Sequence, residues 1–171
     1  FECIGLSDGI SKKVVETALK NKINVITPNK ALIAKHGDYL AKLAEKNNVN
    51  LEFEASVAGV IPILRTLKDG LATNKISKVY GILNGTSNYI LTRMESEGAT
   101  FDDVLADARE LGYVEADEAF DLDGVDAAHK AVILAYLAHG MWISLKDITV
   151  EGIREISNED LLAARKLGCK I

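Results

Sequence analysis

The sequence predicts an α/β (α+β) fold, in which the end of a doubly wound parallel sheet is followed by a mixed sheet with helices packed on it. Short apolar runs of strand character alternate with segments of helical spacing from the first residue onward. This alternation is typical of sheets with crossover helices. At 171 residues and 48% apolar composition, the chain is also long enough for one ordinary hydrophobic core.

Charge and cysteine content narrow the functional class. The net charge is -5 and the basic residues are scattered, which argues against a nucleic-acid partner and favours a protein that handles small molecules. Cys3 and Cys169 have no metal-binding or disulfide spacing, so we expect a reducing, cytoplasmic location. No apolar run reaches the ~18 residues of a membrane span, and membrane partners are not expected.

Residues 1–28 predict a strand, a helix and a second strand in the rhythm of a doubly wound sheet. The glycine fingerprint that grips a dinucleotide pyrophosphate, GxGxxG, does not occur in the chain. The next helix is predicted to begin with Thr27 as N-cap and Pro28 at the first helical position, and to end at Asn47. Period-two alternation then predicts a strand over residues 49–57, and Pro62 opens a short helix.

The second half of the sequence predicts further strands and capped helices. Strands are expected over residues 75–84 and 147–153, and another is expected to begin after Gly168. Helices are expected from Thr86 or Ser87, from Thr100, over residues 125–138, and after Ser157. Both ends look cut, so we expect residues 1–28 to be the remainder of one domain and residues 29–171 to be a second domain truncated at its C-terminus.

The apolar helix over residues 125–138 carries Asp126 and Lys130 one turn apart, on the face of Ile133 and Leu134. Such a pair is usually a solvated helix contact worth a few tenths of a kcal/mol. Here the neighbours are almost all aliphatic, and burial of two charges costs several kcal/mol per ion. The alternative is therefore a functional lysine acting as general acid or base.

The acidic segment before this helix does not match a calcium loop. Aligning Gly124 with the invariant glycine of an EF-hand places Ala119 at the first ligand position and Lys130 where a bidentate Glu is required. The remaining carboxylates, Glu115, Asp121 and Asp126, could instead hold the ammonium group of a substrate.

Three other segments allow both a structural and a functional interpretation. Lys30 lies in the first turn of its helix, where a positive charge is unfavourable, and either reaches solvent or faces a ligand at the mouth of the sheet. The turn at Asn84 and Gly85 leads into a helix opened by Thr86 or Ser87, and it is either an ordinary helix cap or a site for an anion such as a carboxylate. Residues 54–59 form a tight turn or allow a close backbone approach.

Four stretches together resemble the homoserine dehydrogenase family: TPNKALIAKHG, EASVAGVIPIL, GILNGTSNYIL and GYVEADEAFDLDGVDAAHKAVILA. The resemblance implies that residues 1–28 end a nucleotide-binding domain and that residues 29–171 form the substrate-binding, catalytic and dimerisation domain. It also implies NAD- or NADP-linked interconversion of L-homoserine and L-aspartate 4-semialdehyde, a step toward threonine, methionine and isoleucine, in a homodimer.

The resemblance also implies roles for individual residues. Lys130 matches the lysine that relays the hydroxyl proton, and Lys30, with Asn29, matches the pair beside the nicotinamide. Asp126 is implied to orient Lys130. The substrate side is implied to consist of Glu115, Asp121, Gly85 and Thr86, and a monovalent-cation loop, for sodium, of Glu54, Val57, Gly59 and Ile61.

The sequence departs from the family pattern at Glu118, where members commonly carry Pro. Two other functions stay open at this point: a non-catalytic dimerisation module, and a related oxidoreductase for another amino-acid semialdehyde. Because the first part of the nucleotide-binding domain is missing from the sequence, we expect this chain alone to be inactive.

Overall fold

The computed structural model describes residues 1–114 and 117–171, which divide into two compact units. Unit 1 comprises Phe1–Tyr80 and Ala128–Ile148, and unit 2 comprises Gly81–Ala127 and Thr149–Ile171. The predicted combination of helices with a parallel sheet is confirmed. The domain boundary at residue 28 stays a prediction.

Unit 1 is built on a short parallel sheet with helices beside it. Strand β1 pairs with β2 in parallel, with Val25 opposite Leu51 and Ile26 opposite Glu52. The short helix α3 continues into one wider, π-type turn over Thr66–Gly70. The elements in chain order are α1 (Ile10–Lys20), β1 (Val25–Ile26), α2 (Lys30–Asn47), β2 (Leu51–Glu52) and α3 (Ile63–Arg65).

The core of unit 1 follows the helical spacing of the sequence. Val15 and Leu19 on α1 are fully buried, and they pack with Val25 and with Leu32 and Leu40 on α2. These side chains recur every three to four residues along their helices, so one face of each helix is apolar. The core therefore fixes α1 and α2 beside the paired strands.

Unit 2 is helical in the residues that the structure describes. Its core joins α4 (Gly85–Glu97), α5 (Phe101–Glu110) and α8 (Asn158–Lys166). The buried side chains of this core include Ile90, Val104 and Leu161. Thr100 and Ser157 cap α5 and α8 as predicted, and Ser157 forms a full capping box with Asp160. The helices are α4 (Gly85–Glu97), α5 (Phe101–Glu110), α6 (Glu118–Leu122), α7 (Val125–His139), whose first residues belong here, and α8 (Asn158–Lys166).

Two predicted helix starts are wrong. Helix α2 begins at Lys30 with Asn29 as its cap, because the Thr27 hydroxyl is engaged by Glu2 and by the Asn29 amide. Helix α4 begins at Gly85 with Asn84 as its cap. In both cases Asn supplies the side-chain oxygen that accepts the free N–H of the first turn.

The predicted strands outside the sheet are also not formed. Residues 75–84, 147–153 and 169–171 have no strand assignment, and residues 1–6 meet the sheet through one hydrogen bond, from the Glu2 amide to the Ile26 carbonyl at 3.0 Å. A strand requires a neighbouring backbone to receive its hydrogen bonds. Among the described residues, these segments have no ladder partner.

Trp142, which follows the C-terminus of α7, makes a close packing contact in unit 1. The Trp142 ring stacks on Tyr136, with 4.0 Å between ring centroids. The same indole lies against Gly37 inside α2, where an added Cβ would overlap the ring. A glycine is therefore required at a position where helix propensity alone favours Ala.

No helix within residues 1–114 and 117–171 combines the length and the apolar character that a membrane crossing requires.

Candidate functional site

Two buried carboxylates occupy the interior of unit 2. Asp121, near the end of α6, is 4% exposed, and Asp126, in the first turn of α7, is 2% exposed. Carboxylates are rarely buried to this degree, since loss of hydration disfavours the charged form unless hydrogen bonds or an opposite charge compensate. Their burial makes this the candidate substrate site.

The Asn84 amide bridges the two carboxylates. Its Nδ2 donates to Asp121 Oδ1 at 2.7 Å and to Asp126 Oδ2 at 3.0 Å. Its Oδ1 accepts from the Ser87 backbone N–H at 2.8 Å and so caps α4. One side chain therefore begins a helix and holds both acids.

Thr86 provides a second contact to the same cluster. It is buried, and its hydroxyl lies 2.7 Å from the Tyr113 carbonyl and 3.2 Å from Asp121 Oδ2. A hydroxyl carries one proton, so the shorter contact identifies Tyr113 as the better acceptor. Gly85, at the first position of α4, leaves open space where a Cβ would lie.

The turn between the two aspartates is held by backbone packing. Ile153 donates its N–H to the Leu122 carbonyl at 2.8 Å. A Cβ added to Gly152 would lie 2.5 Å from that same carbonyl oxygen, and one added to Gly124 would lie 2.8 Å from the Glu151 carbonyl. Only glycine permits this approach, which fixes the spacing of Asp121 and Asp126.

A cavity of about 530 Å³ opens beside this cluster within unit 2, with Asn84, Ser87 and Asp121 on its wall. Asn84 is neutral, so its hydrogen bonds orient the two acids without adding a charge. A cation such as an ammonium group is the ligand that two adjacent buried carboxylates favour.

Unit 1 contains a second polar cluster, at the carboxyl end of β1. Buried Glu2 accepts hydrogen bonds from the Ile4 N–H at 2.7 Å and from the Thr27 hydroxyl at 2.6 Å. Thr27 in turn accepts from the Asn29 N–H at 3.0 Å, and the Asn29 amide donates to the Leu6 carbonyl at 2.9 Å. Two loops are thereby joined directly before Lys30.

Lys30 is the first residue of α2, and its side chain is half-buried. Asn29 caps the helix by accepting the Leu32 N–H at 3.1 Å. Parallel α/β sheets bind ligands beyond the carboxyl ends of their strands, which is where this pair lies. Lys130 is also half-buried, on α7 within unit 1.

Burial raises the pKa of the Glu2 carboxyl, but hydrogen bonds from Thr27, Ile4, Asn29 and Gly5 outweigh it and hold the pKa below its ordinary value of 4.5. The ionised form is thus the one that the fold stabilises.

The predicted cation loop has an unusual backbone. The Glu54 carboxylate accepts from the Leu64 N–H at 3.1 Å and the Arg65 N–H at 2.8 Å. Ala58 and Val60 adopt positive φ angles of 48° and 77°, which non-glycine residues rarely do. Of the other residues in the predicted ligand set, Val57 is buried, and Gly59 and Ile61 are exposed.

The predicted site residues thus fall into groups. Thr86, Asp121 and Asp126 are together in unit 2, and Asn29 and Lys30 adjoin in unit 1, whereas Glu115 lies outside the described residues. Sequence reasoning missed Asn84 and Glu2 as members of these clusters. The available signal for Asn84 was a cap-forming residue directly before Gly85, at the end of an apolar run.

Comparison with known families decides the classification. The family model described as "Homoserine dehydrogenase" matches residues 62–171, and the one described as "Homoserine dehydrogenase, NAD binding domain" matches residues 2–54. The chain belongs to the homoserine dehydrogenase family. The resemblance inferred from the four sequence stretches is confirmed.

Individual members of the homoserine dehydrogenase family are similar over most of this chain. A homoserine dehydrogenase of Neisseria gonorrhoeae is 45% identical over 163 residues, which are 95% of this chain and 38% of that protein. The structure of one from Thiobacillus denitrificans aligns with a TM-score of 0.94 at 44% identity, over 99% of this chain and 39% of that one. A hyperthermophilic archaeal homoserine dehydrogenase in complex with NADPH aligns at 0.80 and 36% identity, over 85% of this chain and 45% of that one.

The chain therefore spans less than half the length of these homoserine dehydrogenases. This chain departs from the family pattern at Glu118. Glu118 is the first residue of α6, and its carboxylate forms a bidentate ion pair with the Arg109 guanidinium at 2.9 Å. Pro is readily accepted at the first position of a helix, so both residues are compatible with the same turn.

The lowered pKa of Glu2 means that its ionised carboxylate stabilises the folded state, and replacing Glu2 should remove this contribution. A carboxyl whose folded pKa is depressed contributes stability above its unfolded pKa and loses it as the pH falls through the folded pKa. We expect Glu2→Gln to lower the free energy of unfolding by about 1 to 3 kcal/mol at pH 7. The difference from wild type should shrink below about pH 4.5. Urea unfolding at a series of pH values measures both.

The matched control is Glu45→Gln, an exposed carboxylate on α2, which should change stability by less than about 0.5 kcal/mol. A Glu2→Gln deficit that is the same at pH 3 and pH 7 would show that the loss is one of packing and not of charge.

Proposed function

We propose that the protein to which this chain belongs is an NAD- or NADP-dependent homoserine dehydrogenase, which interconverts L-homoserine and L-aspartate 4-semialdehyde. Family membership supports the reaction class. The observation that carries the choice of substrate is the pair of buried carboxylates, Asp121 and Asp126, on the Asn84 amide. A small zwitterion needs an acidic partner for its ammonium group once water is excluded.

The substrate's two charges are assigned to different partners. Asp121 and Asp126, with Glu115, hold the ammonium group. The turn at Gly85 and Thr86 begins α4, a helix of 13 residues, and helix starts favour anions because N–H groups point outward there. This turn is therefore assigned to the substrate carboxylate.

Oxidation of the alcohol removes a hydride from its carbon and a proton from its hydroxyl. Bound NAD or NADP would supply the acceptor for that hydride. Lys130 takes the hydroxyl proton, and Asp126 orients it from one helical turn earlier in α7. Lys30 and Asn29, at the carboxyl end of β1, are assigned to the nicotinamide side.

Loss of Lys130 should remove most of the activity. In the complete parent protein, we expect Lys130→Ala to reduce L-homoserine-dependent reduction of NAD and NADP by two or more orders of magnitude, because general acid-base catalysis commonly contributes 10²- to 10⁴-fold. Absorbance of the reduced nicotinamide measures the rate, and circular dichroism checks the fold.

Lys42→Ala serves as control, since Lys42 is exposed on α2 and pairs with Asp38. Equal activity of Lys130→Ala and wild type would make Lys130 a structural residue. A wild type that oxidises another hydroxy amino acid and not L-homoserine would change the substrate assignment.

We propose in addition that residues 54–61 bind a monovalent cation, sodium, through Glu54, Val57, Gly59 and Ile61. The positive φ angles of Ala58 and Val60 support this, since they turn successive peptide groups in a way that non-glycine residues adopt only under constraint. Backbone carbonyls are suitable ligands for a hard cation.

Sodium should then stabilise the parent protein beyond any effect of ionic strength. A ligand that binds only the folded state adds about 2.7 kcal/mol at a hundredfold excess over its Kd. Thermal unfolding is compared in sodium chloride and in choline chloride at equal concentration, with sodium expected to raise the midpoint. Superimposable curves over the whole concentration range would exclude the site.

A homodimer is also proposed for the parent protein, through residues 75–84. Tyr80 and Ile82 in this segment are 85% and 78% exposed, and the segment has the alternation of a strand without a ladder partner in the described part of the chain. Strands of this kind pair readily with another chain.

A charge introduced in this segment should separate the subunits. We expect Tyr80→Glu to halve the mass of the parent protein in light scattering, because the charge would be buried at the contact. Leu162→Glu, at an exposed position of α8, is the control and should leave the mass unchanged. A monomeric wild type, or an unaltered mass in Tyr80→Glu, would count against this interface.

A further inference from the structure

The Asn84 side chain contacts both buried aspartates, and its orientation is determined by the helix it caps. The Ser87 N–H can only donate, so the atom that faces it at 2.8 Å must be the amide oxygen. The nitrogen is therefore directed to Asp121 Oδ1 and Asp126 Oδ2. The cap removes the ambiguity between the two ends of the amide.

We infer that Asn84 is a positioning residue for recognition of the substrate ammonium group, which it promotes by holding Asp121 and Asp126 side by side with one N–H to each. This inference rests on the proposed function. Two adjacent carboxylates repel, and without a donor between them they separate or share a proton. A bridging amide with two N–H groups offsets that repulsion and adds no charge of its own.

Asn84 both caps α4 and donates to two carboxylates, and these two requirements explain why the residue is Asn. Ser, Thr, Asp and Asn all cap helices well, but Ser and Thr have a single hydroxyl proton and Asp has no N–H. Among these residues, only Asn combines a cap acceptor with two donors. The carboxylates need donors, and the helix needs an acceptor, so the selection of Asn at this position is explained by both requirements together.

The packing around the cluster keeps this geometry in place. Asn84 is itself buried, and the turn between the two aspartates is held by the contact of Gly152 with the Leu122 carbonyl. This backbone contact does not involve the side chain at position 84. A change at position 84 should therefore alter how the acids are held and not where the turn lies.

The test separates capping from carboxylate positioning in the complete parent protein. Asn84→Ser keeps a cap acceptor and lacks the two N–H donors, and Asn84→Asp keeps the cap and adds a third carboxylate. We expect the KM for L-homoserine to rise about tenfold in Asn84→Ser and further in Asn84→Asp, since a hydrogen bond to a charged group typically contributes a factor of this order. The KM for NAD or NADP should change less than twofold in both.

Thr100→Ala is the matched control, because it removes an N-cap from α5 in the same unit and Thr100 bonds to Asp103, not to Asp121 or Asp126. It should lower the unfolding midpoint and leave both KM values unchanged. A merely structural role of Asn84 would give the same result as this control, with a lower midpoint and no selective rise of the KM for L-homoserine.

Each outcome bears on the inference. Wild-type kinetics in both Asn84→Ser and Asn84→Asp would overturn it and leave Asn84 as a helix cap alone. If Asn84→Ser does not fold, Asn84→Asp decides, because its cap is intact. A wild type that neither binds L-homoserine in calorimetry nor oxidises it would overturn the proposed function and this inference with it.

Discussion

The burial of two carboxylates on one neutral amide is the constraint on which the rest of unit 2 depends. Asp121 and Asp126 are almost inaccessible to solvent, and burial of like charges at short range is unfavourable unless donors and a counter-charge compensate. The structure supplies two N–H donors from the Asn84 amide, one to each acid. The ammonium group of the proposed substrate would add a counter-charge to these two acids.

The same atoms serve the fold and the site. Asn84 caps α4 and Asn29 caps α2, so each cap lies directly before residues assigned to substrate or cofactor. Glu2 and Thr27 extend this arrangement by joining two loops through hydrogen bonds of 2.6 to 3.0 Å. Backbone groups at helix starts must be satisfied in any case. Here the side chains that satisfy them are next in sequence to the residues proposed to bind substrate or cofactor.

Local patterns in the sequence predicted the helices well and the strands poorly. Apolar spacing predicts α1 and α7, and the caps Thr100 and Ser157 predict the starts of α5 and α8. These patterns depend on neighbours a few residues away, and the structure confirms them. The starts of α2 and α4 were misplaced because distant partners engage Thr27 and Thr86. Strand formation at residues 75–84 requires a partner backbone, and no local pattern supplies one.

The residue types of the candidate site could be predicted from the sequence, but the hydrogen bonds that join these residues could not. The acidic cluster and the two lysines stand out in the sequence, whereas the bridge through Asn84 spans 37 and 42 positions to its two acids. The assignment of roles came from resemblance to the homoserine dehydrogenase family, because residue chemistry alone allows any substrate that carries an amine.

The stacking of Trp142 on Tyr136 and Gly37 has a practical consequence for spectroscopy. The chain has a single tryptophan, and all three of these residues belong to unit 1. Indole emission therefore reports the packing of unit 1, whereas the buried acids and their amide lie in a unit with no such fluorophore. A change in tryptophan emission therefore identifies unfolding of unit 1, whereas a loss of helix content without that change identifies unfolding confined to unit 2.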